Sequence, residues 1–388
     1  MSKRRLYTLI LGYSIVVIIS YAVPVGLRDP EWFYIYSYLD AHKAVPFVNV
    51  REGYPPLGFL IYVPLYYAFH GDVVAFNYAF RFLNGAFLVS TLFVLYLIMR
   101  SSFSERKATK LAVYYATLPS VVIANVYSND VIALLPAALS IYMMRKKKAL
   151  LCGVLIGVAT LCKGFPFLLI IPALIAFSKD ADKVKVVGSA ILTVLLASLP
   201  FMLINPYTYI STFTHVGSRG PWETVWALID GYHSHGGLLH PYFDKFFYHS
   251  NLLKIYSASH LDHAVYKWSF DWMPLFLTIC QIIVVVLLSL AFWKHRRDAY
   301  VLCGLLYIGY MLFFKGYSTQ FAVSTPFYML LAVVNNPLPF MIPLELSHIL
   351  QMLAWGSNII SPESLRNWHL PLLVSAIILR TGVFGWVV

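Results

Sequence analysis

Asp29 and Glu31 stand two residues apart at the start of "RDPEWFYIYSYLD" (28–40), directly after a run of apolar residues. A carboxylate at an interface, partly desolvated beside a basic residue such as Arg28, has the chemistry of a general base. The same residues also make a good helix start, with Asp at the cap, Pro30 in the first turn and Glu31 favoured by the helix dipole. The two roles are compatible. Glu52, in "REGYPPLGFL" (51–60), is a further acid candidate beside Tyr54. There Pro55 and Pro56 fix the chain as it enters an apolar surface helix.

Cations suited to a phosphate recur further along. Lys163 lies between two short apolar runs in "ATLCKGFPFLLIIP" (159–172). A lysine so placed is costly unless it snorkels to an interface or finds a partner, and a phosphate at the outer surface is one such partner. "FFKGYSTQFAVSTPF" (313–327) sets Lys315, Ser318 and Gln320 at one end of an apolar run, as an interface anchor or as part of a site. "SRGPWETVWALIDGYHSHGGLLHP" (218–241) combines Arg219, Trp222, Glu223 and Trp226 with His233, His235 and His240. The histidine spacing is a poor zinc signature and has no obvious carboxylate partner. A surface for a sugar or a lipid headgroup is the preferred reading, because arginine grips phosphate through two parallel bonds. No metal or cofactor is demanded, although a divalent ion is compatible. The chain has no P-loop, no G-x-G-x-x-G after a strand, no G-x-S-x-G and no H-E-x-x-H. Cys152, Cys162, Cys280 and Cys303 all fall in apolar runs and read as small buried side chains.

The elements that must position these groups are apolar helices. Of 388 residues, 60% are hydrophobic and 12% charged, against about 25% charged in an average soluble domain. Apolar runs of spanning length recur throughout, so the fold class is an all-α polytopic membrane protein. No long polar segment suggests a second domain, and residues 1–388 read as one transmembrane unit. The net charge of +12 does not point to nucleic acid, because the basic residues cluster as topology signals. Short clusters at Lys3–Arg5, Arg100–Lys110, Arg145–Lys148, Lys179–Lys185 and Lys294–Arg297 mark a cytoplasmic side, with the N-terminus among them.

Threading the chain between those anchors predicts about twelve spans. They are 6–27, 73–99, 110–126, 130–144, 149–162, 164–178, 186–205, 271–293, 299–314, 318–334, 337–355 and 370–388. Residues 29–70 become an outer loop of aromatic helices lying along the interface, and 206–270 a long outer loop. This topology puts Asp29, Glu31, Asp130, Lys163 and Lys315 on one face of the membrane. The compact loops favour a prokaryotic plasma membrane with the site facing outside.

Four pieces in this order resemble a known family. They are the acid after the first span followed by Pro46-Phe47 and Tyr54-Pro55-Pro56-Leu57, the stretch "GVLIGVATLCKGFPFLLIIP", "SRGPWETVW", and "KGYSTQF" ending at Pro326. Together they resemble the GT-C superfamily of integral-membrane glycosyltransferases, especially glycosyltransferase family 87 and its mannosyltransferase relatives. Phe33 and Phe47 replace the usual tyrosines, Lys43 stands where glycine is usual, and Thr319 replaces a proline. The resemblance implies a polyprenyl-phosphate sugar donor, often mannose, a lipid- or protein-linked glycan acceptor, and inversion at the anomeric carbon. It implies that Asp29 deprotonates the acceptor and that Lys163, Arg219 and Lys315 face the departing phosphate. A transporter or flippase of lipid-linked sugars is the alternative. It is disfavoured by the lack of an inverted repeat and by acids that cluster outside rather than at mid-membrane.

Overall fold

The computed structural model describes residues 3–20, 31–49, 54–69, 72–126, 128–218, 221–230, 272–294, 298–360 and 366–388. Among them the chain is helical, and the pairing of Trp222 with Gly316 is an isolated bridge rather than a strand. The chain starts with α1 (Lys3–Ser20) and the first-loop helices α2 (Glu31–Ala41), α3 (Pro56–Leu60) and α4 (Val63–Ala68). Then come α5 (Val73–Arg100), α6 (Glu105–Ala116), α7 (Pro119–Asn125), α8 (Asp130–Arg145) and α9 (Ala149–Cys162). A 3-10 turn (Phe165–Leu169) leads into α10 (Ile170–Ala176), α11 (Asp180–Ile204), α12 (Pro206–Ser218) and α13 (Val225–Asp230). The chain closes with α14 (Trp272–Phe292), α15 (Ala299–Leu312), a 3-10 turn (Thr319–Ala322), α16 (Ser324–Ala332), α17 (Leu338–Ile360) and α18 (Arg366–Val387).

Local chemistry sets many of these boundaries. Asp72 caps α5 by accepting from the backbone N–H of Val74 at 3.0 Å and Ala75 at 2.9 Å, satisfying donors that a helix start leaves unpaired. Proline opens α3, α4 and α7 in the first turn, where its missing N–H is harmless. The apolar run 110–126 is therefore not one straight helix. It breaks at Thr117–Leu118 before Pro119. The run 164–178 and the run 318–334 each open with a 3-10 turn.

Among the described residues three helices, α5, α11 and α14, are long and apolar enough to cross a membrane, or four crossings if the pair α7 and α8, bent by 118°, counts as one. Shorter apolar helical stretches of 10–17 residues occur among the described residues, from Ile10–Ser20 to Pro371–Val387, so fewer helices reach spanning length than the twelve expected from the sequence. On α11 the side chains of Leu192, Leu195, Leu196, Leu199 and Leu203 are exposed, and on α14 those of Ile279, Ile282, Val286 and Leu290. An apolar stripe at that spacing is too large to leave in water and suits lipid.

Packing places the ends of the helices. α8 packs on α5 and α9, α9 on α11, α15 on α16, and α17 on α18. At one end of the bundle Arg145 donates to the carbonyl of Ser101 at 3.4 Å, Lys147 to that of Ala176 at 2.6 Å, and Lys107 to Asn335 Oδ1 at 3.0 Å. The opposite ends of α8 and α9 carry Asp130 and Lys163. The first-loop helices fold back on α5 through aromatic contacts. Phe33 lies 5.6 Å from both Tyr66 and Phe76, and Tyr36 donates to the carbonyl of Phe59 at 2.5 Å.

Candidate functional site

The four separated sequence stretches meet in space. Tyr54, from the first loop, donates to Gln320 Oε1 at 3.0 Å. Next to it α3 lies flat on the end of α9, so close that a Cβ on Gly58 would stand 2.2 Å from the Cys162 carbonyl oxygen. Lys163 follows directly and lies 4.0 Å from the centre of the Phe321 ring. Trp222, from the second long loop, bonds through its N–H to the Lys315 carbonyl at 2.7 Å, and its own carbonyl accepts from Tyr317 N–H at 3.2 Å. The ring of Trp222 then covers Gly316, where a Cβ would come within 2.1 Å of it. Tyr54, Lys163, Trp222, Lys315 and Gln320 are thus joined through the segment 315–321, although they come from residues far apart in the chain.

Lys315 is buried here, and Lys163 is largely shielded from solvent. Lys163 forms an ion pair with Asp130, whose side chain is fully buried. Burial pulls the Lys163 ammonium below the ordinary lysine range, while the Asp130 carboxylate opposes that shift by favouring the charged form. Lys315 is only 8% exposed, and burial lowers it in the same direction. Two polar atoms, Asp130 Oδ2 and Ser318 Oγ, are buried without a hydrogen-bond partner. Such atoms are rare in folded proteins and call for an explanation at each occurrence.

A second polar cluster holds the segment from behind. Glu223 adopts a left-handed backbone, with φ of 53°, a conformation that costs energy for a non-glycine residue. It is held there from two sides. Arg380, on α18, donates to the Glu223 carbonyl at 2.6 Å, and Gln351, on α17, donates to Glu223 Oε2 at 2.6 Å. Arg380 also donates to Gln351 Oε1 at 2.7 Å and lies 3.7 Å from the centre of the Tyr317 ring. Tyr317 donates to Thr325 Oγ1 at 2.7 Å and hydrogen-bonds His348 Nε2 at 2.8 Å. The cluster ends at Ser120, whose N–H donates to Glu345 Oε1 at 2.8 Å and whose hydroxyl lies 3.4 Å from His348 Nδ1.

Asp29, Glu52, Arg219, His233, His235 and His240 lie outside the described residues. Glu31 opens α2 and only its place in the backbone is described. Among the described residues no three His, Cys, Asp or Glu side chains come together as a metal site. Sequence reasoning singled out neither Asp130 as the partner of Lys163 nor any of Tyr317, Glu345, His348, Gln351 and Arg380. For Asp130 the signal was present. It is an acid opening an apolar helix whose antiparallel neighbour ends in Lys163. For Glu345, His348 and Gln351 the signal was their spacing of three, which aligns them as a polar stripe along α17.

This arrangement offers cations for a phosphate, aromatic faces and amide groups for a sugar, and neighbouring apolar helix faces for a lipid tail. A family model described as glycosyltransferase family 87 matches residues 53–314, more than half of the chain. No curated protein matches it.

Proposed function

The chain belongs to glycosyltransferase family 87, and on that premise we propose that it moves a sugar, mannose, from a polyprenyl-phosphate donor to a lipid- or protein-linked glycan acceptor. One observation carries the reading: four stretches scattered along the chain converge on one end of the helix bundle and bring Lys163 and Lys315 beside aromatic and amide side chains.

In this reading Asp29 takes the proton of the acceptor hydroxyl, with Glu31 next to it as the second acid. The acceptor oxygen bonds to the anomeric carbon as the bond from that carbon to the phosphate oxygen breaks, and the configuration inverts. The departing polyprenyl phosphate keeps the electron pair. Lys163, Arg219 and Lys315 stabilise the charge that develops on it. Glu52, Tyr54, Trp222, Glu223, His233, His235, Ser318 and Gln320 bound the sugar and acceptor region. The transition state has oxocarbenium character, as in glycoside hydrolysis. The scheme demands no metal, although a divalent ion is compatible with it.

The donor is dissolved in the membrane, which fits a site reached from lipid. We place the chain in a prokaryotic plasma membrane, with the N-terminus cytoplasmic and the site outside. The short helices complete the set of about twelve crossings as tilted or broken spans packed within protein. The test is transfer by purified protein in detergent, using radiolabelled polyprenyl-phosphate mannose and a cell-lipid extract. Label in a new glycolipid or glycan supports the reading. Label that stays on the donor, with glucose and other sugar donors also inert, contradicts it.

A further inference from the structure

We infer that Asp130 is a positioning residue that holds Lys163 as a charged, oriented ammonium for the donor phosphate. The inference rests on the role proposed above for Lys163. It is drawn from the way the pair is mounted.

Asp130 is the first residue of α8, and Lys163 directly follows the last residue of α9. The positive end of the α8 dipole favours a carboxylate, and the negative end of the α9 dipole favours an ammonium. The dipoles of the two antiparallel helices therefore match the signs of the two charges. The backbone under Asp130 is pinned. Its N–H donates to Ser128 Oγ at 3.1 Å, and the Ser128 carbonyl accepts from Asn84 Nδ2 at 2.9 Å. Asn84 in turn accepts from the Tyr62 hydroxyl at 2.6 Å, and Asn129 Nδ2 reaches the Gly58 carbonyl at 3.4 Å. The backbone that carries the carboxylate is thus held in place, and Lys163 is fixed by the carboxylate and by the Phe321 ring.

The pair is also lean. One carboxylate oxygen meets the ammonium and the other has no hydrogen-bond partner. Among the described residues, titratable groups near the pair are Tyr307 on α15 and Tyr317 in the segment after α15, with Cys162 on α9 and Tyr54 and Tyr62 from the first loop clustered next to Lys163. All are uncharged side chains at neutral pH. Among the described residues, Asp130 is thus the acid that keeps Lys163 charged. Removing it lets burial act alone, so the ammonium loses its proton at lower pH. Donor binding that needs this charge is present below the lysine pKa and is lost as pH rises through it.

The test measures binding of polyprenyl-phosphate mannose, whose phosphodiester keeps one charge throughout, to detergent-purified wild type, Asp130→Asn, Asp130→Glu and Lys163→Met. Binding is followed from about pH 6 to about pH 9, with thermal unfolding of each protein recorded alongside. The expected result is that the alkaline loss of binding moves to lower pH in Asp130→Asn. Where the pH lies above the lysine pKa of both proteins, binding falls roughly tenfold for each unit of displacement. Asp130→Glu keeps the wild-type alkaline limb but binds more weakly at every pH, because the ammonium is displaced. Lys163→Met binds weakly and loses the limb. An unmoved limb in Asp130→Asn, or an equal loss at every pH, overturns the inference while leaving the donor assignment intact. If Asp130→Asn does not fold, Asp130→Glu decides, and binding identical to wild type overturns the inference. Wild type that does not bind the lipid at any pH sinks the donor assignment, and this inference with it.

Discussion

Around Tyr317, Arg380 donates to Glu223 and Gln351, Gln351 donates to the Glu223 carboxylate, and the Tyr317 hydroxyl meets both Thr325 and His348. Around Lys163 there is one ion pair, one ring and a carboxylate oxygen with no partner. Both clusters are buried, and both border the segment 315–321. A polar network that satisfies its members rigidifies what it holds, while an incompletely satisfied one carries a standing energetic cost. The first cluster therefore reads as the frame of the site and the second as its working part. Loss of a frame residue should appear mainly as loss of fold, and loss of a working residue mainly as loss of transfer.

The sharpest way to break this contrast is Arg380→Met. It takes donors away from two buried acceptors, the Glu223 carbonyl and Gln351 Oε1, at about 1–3 kcal/mol for each. The apparent Tm in detergent should fall well below wild type, and an unchanged Tm would contradict the framing role. The double variant Asp130→Asn with Lys163→Met tests the other side. Removing both partners of a buried ion pair is often close to neutral for stability, so Tm should stay near wild type. Transfer should fall roughly 100-fold or more, as on loss of a group that stabilises developing charge. A double variant that transfers normally would remove the pair from the mechanism.

Gly316→Ala tests the joint between the two clusters. Its Cβ would meet the Trp222 ring at 2.1 Å, and overpacking of this kind costs about 1–3 kcal/mol. Tm and transfer should both drop, whereas Gly382→Ala, with open space around its Cβ, serves as the control and should change neither. The smallest effect is expected of Tyr54→Phe, which deletes the 3.0 Å bond to Gln320, about 0.5–1.5 kcal/mol. The KM for donor should rise a few-fold with only a small fall in Tm. A fall in Tm equal to that of Arg380→Met would place Tyr54 with the frame instead.

The sequence showed some parts of this molecule plainly. The run 149–162 is α9, 130–144 is α8 to within a residue, and 271–293 is α14 to within a residue at either end, because apolar runs bounded by charges or prolines leave little choice of boundary. The aromatic first loop was equally legible as helices, since Pro55-Pro56 and the Tyr- and Phe-rich pattern mark helix starts and interfacial faces. The breaks inside runs were harder. Leu118-Pro119 stops one helix and starts another within a continuous apolar stretch, and hydropathy does not register the turn. The site was half visible. Lys163 and Lys315 stood out as cations in apolar surroundings, but their setting depends on tertiary packing. Arg380 is a cation among apolar residues of α18, and the carbonyl it serves belongs to a residue 157 positions away. Nothing in its own neighbourhood announces that partner.

The central claim is that this end of the bundle transfers a sugar, with Asp29 as the base. The most direct test is the radiolabelled transfer assay run side by side on wild type and Asp29→Asn, at matched expression and matched Tm. Label should appear in a new product with wild type and drop roughly 100-fold or more with the variant, the scale of a missing general base. Equal transfer by both proteins would contradict Asp29 as base. Wild type that carries the lipid-linked sugar across a reconstituted vesicle membrane without breaking its bond to phosphate would contradict the transferase itself.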